Sequence, residues 1–245
     1  MKNEHCPLTL NDVAVRRPGG FPADRLLAVL GGRSPNPLWL AELARASRAD
    51  VWAVDSGVDA CRAAGLAPRL LIGDFDSAPS DALEWAVGRG AATRRYPGEK
   101  DLTDFQLTLE IWRETDGVMP IVTGCFGGRL DHLFSNLQSF AMTNSRTPRM
   151  MIDEQEGVYL LYSASLATFC FRKKPAAISL LPLTDQCAGV SIEGVRWPLS
   201  GVTLDRKLPW AVSNRLEEKK GAEGTKEVKV ICGEGVLGVY WCFEA

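Results

Sequence analysis

The sequence predicts the α/β class, with an N-terminal α/β domain on a parallel sheet followed by a small all-β sandwich domain. Three observations predict it. The 245 residues suffice for one large domain or two small ones. Up to about residue 150, short apolar runs alternate with longer amphipathic segments, as in a parallel sheet covered by helices on both faces. After Arg149 only short β-type runs follow, broken by Gly, Pro, Asn and Asp, as in a small antiparallel sandwich or barrel. The division expected is therefore 1–150 and 151–245.

In the first half, RLLAVLGG at 25–32 has the pattern of a buried strand ending in Gly-Gly. PLWLAELARAS at 37–47 suits a helix with Pro37 in its first turn. VWAVD (51–55) and RLLI (69–72) read as strands, with a short helix over 58–64 between them. Residues 80–87 read as helix and 93–96 as a weak strand. Leu102, Phe105, Leu109 and Trp112 repeat at the spacing of one helix face. Ile121–Val122 is a strand core, and 130–142 reads as helix. In the second half, strands are expected over 158–163, 167–172, 177–183, 190–195, 202–205, 211–213 and 227–243, with 217–226 a solvated hairpin loop. Residues 1–24 carry no functional signal.

Composition narrows the function. The formal net charge of −2 lacks the basic surplus that a dedicated duplex-DNA binder needs, so no nucleic-acid partner is expected. No window approaches 18 consecutive apolar residues, so no membrane association is expected. The N-terminus has polar and acidic residues where a secretory signal would have its apolar run. Seven cysteines without a C-x-x-C make a disulfide framework or zinc site improbable and point to a reducing, cytoplasmic setting.

The acids and glycines gather after strands, where parallel sheets bind ligands. In LLIGDFDS (70–77), Asp74 and Asp76 stand two apart, a spacing that in extended backbone puts both carboxylates on one face. Such a pair repels unless a cation lies between, and a hard ion such as Mg²⁺ suits it. Equally, Asp76 and Ser77 fit as caps of the next helix. In KDLTD (100–104), Asp101 is expected as N-cap with Asp104 three residues on, an arrangement that also complements the helix dipole. Lys100 beside them offers a cation to a phosphate. In TGCFGGRLDH (123–132), Gly124, Gly127 and Gly128 let backbone N–H groups approach phosphate oxygens at a helix N-terminus, and Arg129 adds a forked cation. The alternative there is a tight turn capped by Asp131. Gly31-Gly32-Arg33 and Asp55-Ser56-Gly57 add two more such turns. Collectively these turns suit a metal–polyphosphate site.

Absences narrow the chemistry. There is no G-x-x-x-x-G-K followed by Ser or Thr, no kinase signature set, no G-x-G-x-x-G after the first strand and no G-x-S-x-G. With only His5 and His132, a His-rich metal centre is excluded. A carboxylate-held Mg²⁺ enzyme acting on a nucleotide remains.

At these residues the sequence resembles the thiamine pyrophosphokinase family, whose pattern is an Asp-Gly-Gly turn, GDFDS, K-D-x-T-D-F and G-x-x-G-G-R-x-D-H in that order. Here they are DSG (55–57), GDFDS (73–77), KDLTDF (100–105) and GCFGGRLDH (124–132). Ser56 stands where the family usually has glycine, and Arg215 follows Ser-Asn where an acid is common. The resemblance implies transfer of the diphosphoryl group of ATP to the hydroxyl of thiamine, giving thiamine diphosphate and AMP, in a homodimer with active sites between subunits. It implies Asp74, Asp76 and Asp101 as Mg²⁺ ligands with Asp104 nearby, and Asp101 or Asp104 as acceptor of the alcohol proton. Arg129 and Lys100 would stabilise charge on the transferred group. Gly31, Gly32, Asp55, Gly124 and Asp131 are the expected nucleotide-side residues. Trp197, Ser213 and Asn214 are the expected thiamine contacts, Trp197 being otherwise a sandwich-core residue. The alternatives are a pyrophosphokinase for another hydroxymethyl heterocycle such as a pterin, a D-x-D glycosyltransferase, or a non-catalytic thiamine- or nucleotide-binding regulator.

Overall fold

The computed structural model describes residues 7–143, 147–217 and 227–243. In chain order the elements are β1 (Leu8–Leu10), β2 (Val13–Arg16), β3 (Arg25–Val29), α1 (Pro37–Ser47), β4 (Asp50–Val54), α2 (Gly57–Ala63) and β5 (Leu70–Gly73). Then come α3 (Ser80–Val87), β6 (Ala92–Arg95), α4 (Asp104–Arg113), β7 (Met119–Thr123), α5 (Leu130–Met142) and β8 (Arg149–Ile152). The remainder is all β: β9 (Glu156–Tyr162), β10 (Ser165–Phe171), β11 (Ala177–Pro182), β12 (Gln186–Glu193), β13 (Leu199–Asp205), β14 (Glu227–Cys232) and β15 (Val236–Cys242).

One compact unit is Pro22–Glu154. Its strands run β8-β7-β3-β4-β5-β6, every neighbouring pair parallel. After β3 the chain builds outward on one side as far as β6, then returns to add β7 and β8 on the other. That reversal of strand order opens a crevice at the carboxyl ends of β3, β4 and β7. The apolar runs bury where the sequence expects: Leu26, Leu27, Ala28 and Val29 of β3 are all at most 2% exposed. Helix α4 buries Phe105, Leu109 and Trp112 and starts at Asp104. Its cap is Thr103 and not Asp101. The Gln106 N–H donates to Thr103 Oγ1 (3.2 Å), while Gln106 Oε1 accepts the Thr103 N–H (2.9 Å), a complete capping box.

The other unit combines the described residues up to Phe21 with those from Gln155 onward. One antiparallel sheet runs β1-β2-β10-β14-β12-β13, and β11, β15 and β9 form a second antiparallel arrangement. Aromatic rings fill the space between: Tyr159 meets Phe169 edge-on at 5.6 Å, and Trp241 lies 5.9 Å from Phe169 and 6.0 Å from Phe171. This is the expected sandwich.

Several sequence expectations shift. The stretch 1–24 supplies β1 and β2, and β2 pairs with β10 through Val15–Phe169 and Val13–Phe171, so these strands belong to the β unit. Residues 149–152 pair parallel with β7, which carries the α/β unit past 150. The apolar stretch at 227–243 is two strands, turning at 233–235. Residues 211–213 form no strand, although the neighbouring Asn214 makes an isolated bridge to Ile178. From 218 on, the expected hairpin loop lies outside the described residues.

Candidate active site

The crevice of the α/β unit holds a pocket of about 760 Å³ lined by the turns that follow β3, β4, β5 and β7, together with the approach to α4. These turns are locked to one another through the backbone. Gly32 N–H donates to Gly124 O (2.7 Å), Arg33 N–H to Phe126 O (2.7 Å), and Asp55 N–H to Ile72 O (2.8 Å). The β3 and β7 turns approach so closely that glycine is required: at Gly124, with φ of +65°, a Cβ would fall 2.2 Å from Leu30 O.

Asp55 also has a left-handed backbone, at φ of +48°, a conformation that aspartate tolerates better than most residues and that tends to cluster at functional turns. Its carboxylate accepts a short hydrogen bond from Ser77 Oγ, while its other oxygen, Oδ1, is buried with no hydrogen-bond partner. Asp74 and Asp76 converge, but not by strand alternation. Phe75 between them is left-handed (φ +62°) and buries its ring, so a turn brings the carboxylates together. The Asp76 N–H donates to Asp74 Oδ1 at 3.2 Å. Asp55, Asp74 and Asp76 each place an oxygen within 4.8 Å of the others, a donor set suited to a hard divalent cation. The capping alternative for Asp76 and Ser77 fails, since α3 begins at Ser80 behind Pro79 with no side-chain cap.

Asp101 departs from expectation. It lines the same pocket and is exposed, but Asp55 and not Asp101 completes the close carboxylate trio. Asp104 and Lys100 are in place. Lys100 Nζ lies 2.7 Å from Asp74 Oδ2 and 3.1 Å from Asp104 Oδ1, all three side chains being largely covered. The Lys100 hydrogen bond and the Asp76 N–H hold Asp74 below the usual carboxylate range. Burial pushes Asp104 up despite Lys100 beside it. For Lys100, burial opposes the charge, but hydrogen bonds to Asp74 and Asp104 outweigh it and raise its pKa.

Gly31, Gly32, Gly124 and Arg129 line the pocket as expected. Asp131 does not; it grips Arg129 through two contacts of 2.6 and 3.1 Å, so its place is beside the guanidinium. Sequence reasoning offers Ser77 only as a helix cap and gives no role to His132 or Asn136, yet all three line the pocket. The signal for the last two was the four-residue spacing that sets them on one face of α5.

In the β unit, Trp197 and Asn214 lie together. Trp197 N–H donates to Asn214 Oδ1 (3.2 Å), and Asn214 Nδ2 donates to Trp197 O (2.7 Å). Ser213 N–H donates to Ser179 Oγ at 3.0 Å. Trp197 is half-exposed at 52%, so it is not a core residue; Trp241 fills that role. The Arg196 guanidinium already lies over the Trp197 ring, 4.9 Å from its centre. No helix among the described residues is long and apolar enough to cross a membrane.

Residues 43–152 match the family model "Thiamin pyrophosphokinase, catalytic domain", and 169–237 match "Thiamin pyrophosphokinase, vitamin B1 binding domain". Thiamine pyrophosphokinase of Bacillus subtilis (strain 168) is 24% identical over 214 residues, 87% of this chain and 92% of that protein. Thiamine pyrophosphokinase 1 of Arabidopsis thaliana is 24% identical over 161 residues, 62% of this chain and 60% of that protein. Among solved structures, that of the Bacillus subtilis enzyme superposes with a TM-score of 0.75 at 19% identity, covering 90% of this chain and 100% of the other. The thiamin pyrophosphokinase of Candida albicans gives 0.71 at 15% identity, covering 89% and 90%. At these identities the superpositions establish the fold alone.

Proposed function

This chain belongs to the thiamin pyrophosphokinase family, and we propose that it makes thiamine diphosphate by moving the terminal diphosphoryl group of ATP, with Mg²⁺, onto the hydroxyl of thiamine. The hydroxyl oxygen attacks the β-phosphorus, the bond from that phosphorus to the bridging oxygen breaks, and AMP leaves. The observation that carries this reading is that one pocket gathers the turns at 55–57 and 73–77, the approach to α4 and the glycine turn at 124–129.

Asp55, Asp74 and Asp76 are the residues fitted to hold the metal, because Asp55 Oδ1 is buried without a partner and the three carboxylates stand within one ion's reach. Bound there, Mg²⁺ would supply charge neutralisation on the polyphosphate. Lys100 and Arg129 supply further positive charge, and the glycine turns leave room for backbone N–H groups to face phosphate oxygens. Asp104, half-buried and with its pKa raised by burial, suits acceptance of the alcohol proton better than exposed Asp101. Trp197, Ser213 and Asn214 are read as the thiamine side, an aromatic face with small polar groups for a cationic heterocycle.

The chain is further read as a cytoplasmic homodimer with active sites between subunits. That the described cysteines form no disulfide supports the first part. Exposed Leu208, Trp210 and Val212 on the β unit support the second.

The test is direct. Purified protein is incubated with ATP, Mg²⁺ and thiamine, and AMP and thiamine diphosphate are measured. Equal formation of both, requiring all three components, supports the reading. Release of AMP with a hydroxymethylpterin but not with thiamine, or ligand binding with no AMP, overturns it.

A further inference from the structure

We propose that Lys100 is the built-in counter-cation of the carboxylate cluster, keeping a free divalent ion out until a nucleotide polyphosphate draws its ammonium away from Asp74. The inference rests on the reading that this pocket takes a metal-bound nucleotide. Lys100 Nζ contacts Asp74 Oδ2 at 2.7 Å and Asp104 Oδ1 at 3.1 Å, with only 14% of its side chain exposed. Asp74 also belongs to the trio within 4.8 Å that includes Asp55 and Asp76. The ammonium and a divalent ion therefore claim the same carboxylate.

Two cations that share one partly covered carboxylate repel, and the covering keeps solvent screening weak. An ion arriving alone meets a cluster whose charge is already partly neutralised. A triphosphate alters the balance, since it offers the ammonium new anionic oxygens. The local chain permits the exchange. Lysine has a flexible four-carbon stem with a compact charge at its end, and residues 97–101 lie in no helix or strand. Thr103, which begins the fixed structure, is tied down by its capping box with Gln106. Metal and nucleotide would thus enter together, and the metal by itself would bind poorly.

The experiment measures Mn²⁺ binding to the full-length protein without nucleotide, from the electron paramagnetic resonance of free Mn²⁺. Lys100→Met is expected to bind Mn²⁺ at least about tenfold more tightly than the natural protein, and a nonhydrolysable ATP analogue less tightly. Lys100→Arg, which keeps the charge, should retain the weak Mn²⁺ binding. Lys100→Gln serves as a second neutral variant should the methionine protein fail to fold. Unchanged or weaker Mn²⁺ affinity in the neutral variants overturns the proposal, as does a gain that survives addition of Asp74→Asn. The functional reading is judged separately, by thiamine-dependent AMP formation in the natural protein; its failure beside a Mn²⁺ gain in Lys100→Met would leave the counter-cation role standing.

Discussion

The Arg149 guanidinium sits 4.9 Å from the centre of the Trp112 ring, fully buried at the start of β8. It also donates to Phe140 O at 2.6 Å and reaches Thr143 O at 3.4 Å, so one cation ties α4, the end of α5 and the last parallel strand together. A cation at a helix C-terminus is favourable, and here it satisfies carbonyls that α5 leaves unpaired. Arg149→Met should lower unfolding free energy by about 3 kcal/mol, because it strands buried acceptors. Arg149→Lys should recover only part, lacking the planar fork. Urea unfolding measures both, and a methionine variant within about 1 kcal/mol of the natural protein contradicts this account.

Gly124 and Gly128 occupy one turn under opposite constraints. A Cβ on Gly124 would meet Leu30 O at 2.2 Å in a left-handed backbone, whereas on Gly128 it would meet Gly32 Cα at an ordinary 3.6 Å. Gly124→Ala should therefore cost more than about 2 kcal/mol, and Gly128→Ala less than about 1 kcal/mol. Thermal unfolding of the two variants side by side tests the difference. Equal losses would mean that the turn is softer than its hydrogen bonds imply.

The parallel sheet was legible because strands such as β3 and β7 are apolar except for Arg25 at the start of one and Thr123 at the end of the other, and helices such as α4 carry a strong one-sided stripe. β1 and β2 were not legible, since strands of three and four residues carry too little periodicity to declare a partner some 150 residues away in β10. In the site, the acids were visible as types, but not which of them meet. Strand spacing suggested that Asp74 and Asp76 share a face, yet a left-handed Phe75 does the work. Asp101 is expected as the cap that Thr103 takes, and as a metal ligand only through the family resemblance, while Asp55 joins the trio through a backbone conformation that no spacing rule reveals.

That substitution of Asp55 for Asp101 sets up a kinetic comparison. Asp55→Asn and Asp76→Asn should each reduce thiamine-dependent AMP formation by at least about a hundredfold. Asp101→Asn should cost about tenfold or less, because its carboxylate stands outside the trio. Excess Mn²⁺ should partly restore the first two and leave the third unmoved. A ranking with Asp101 most damaging would return it to the metal.

Arg196 covers one face of Trp197, the ring that we propose for the thiazolium cation. Removing it by Arg196→Ala should lower the KM for thiamine by about two- to fivefold with little change in kcat, since an exposed cation–π contact contributes roughly 0.5–1 kcal/mol. Trp197→Ala should raise KM instead. If Arg196→Ala raises KM as well, the guanidinium helps to present the ring and does not compete for it.

The Asp74–Lys100 pair should leave a pH signature in protein treated with a chelator. The pKa of Asp74 is held down by Lys100 and by the Asp76 N–H, so its contribution to stability is present above the ordinary aspartate value of about 3.9 and is lost as pH falls through its lower folded value. Lys100 is shifted up, so its contribution is complete below the ordinary lysine value of about 10.4 and fades as pH rises through the folded value. Asp104 runs the other way: burial raises its pKa, so its charge costs stability at neutral pH, and that cost disappears on acidification. Asp74→Asn removes the first of these and, because Asp74 also helps to raise Lys100 and Asp104, weakens the other two. It should destabilise the protein by about 1 kcal/mol at pH 7, with the gap to the natural protein closing as the pH drops below the aspartate range. Guanidinium unfolding at several pH values reads the gap directly. A gap that stays constant down to acid pH would mean that the asparagine is harmful through its fit in the turn, and that the Lys100 contact contributes nothing measurable to the fold.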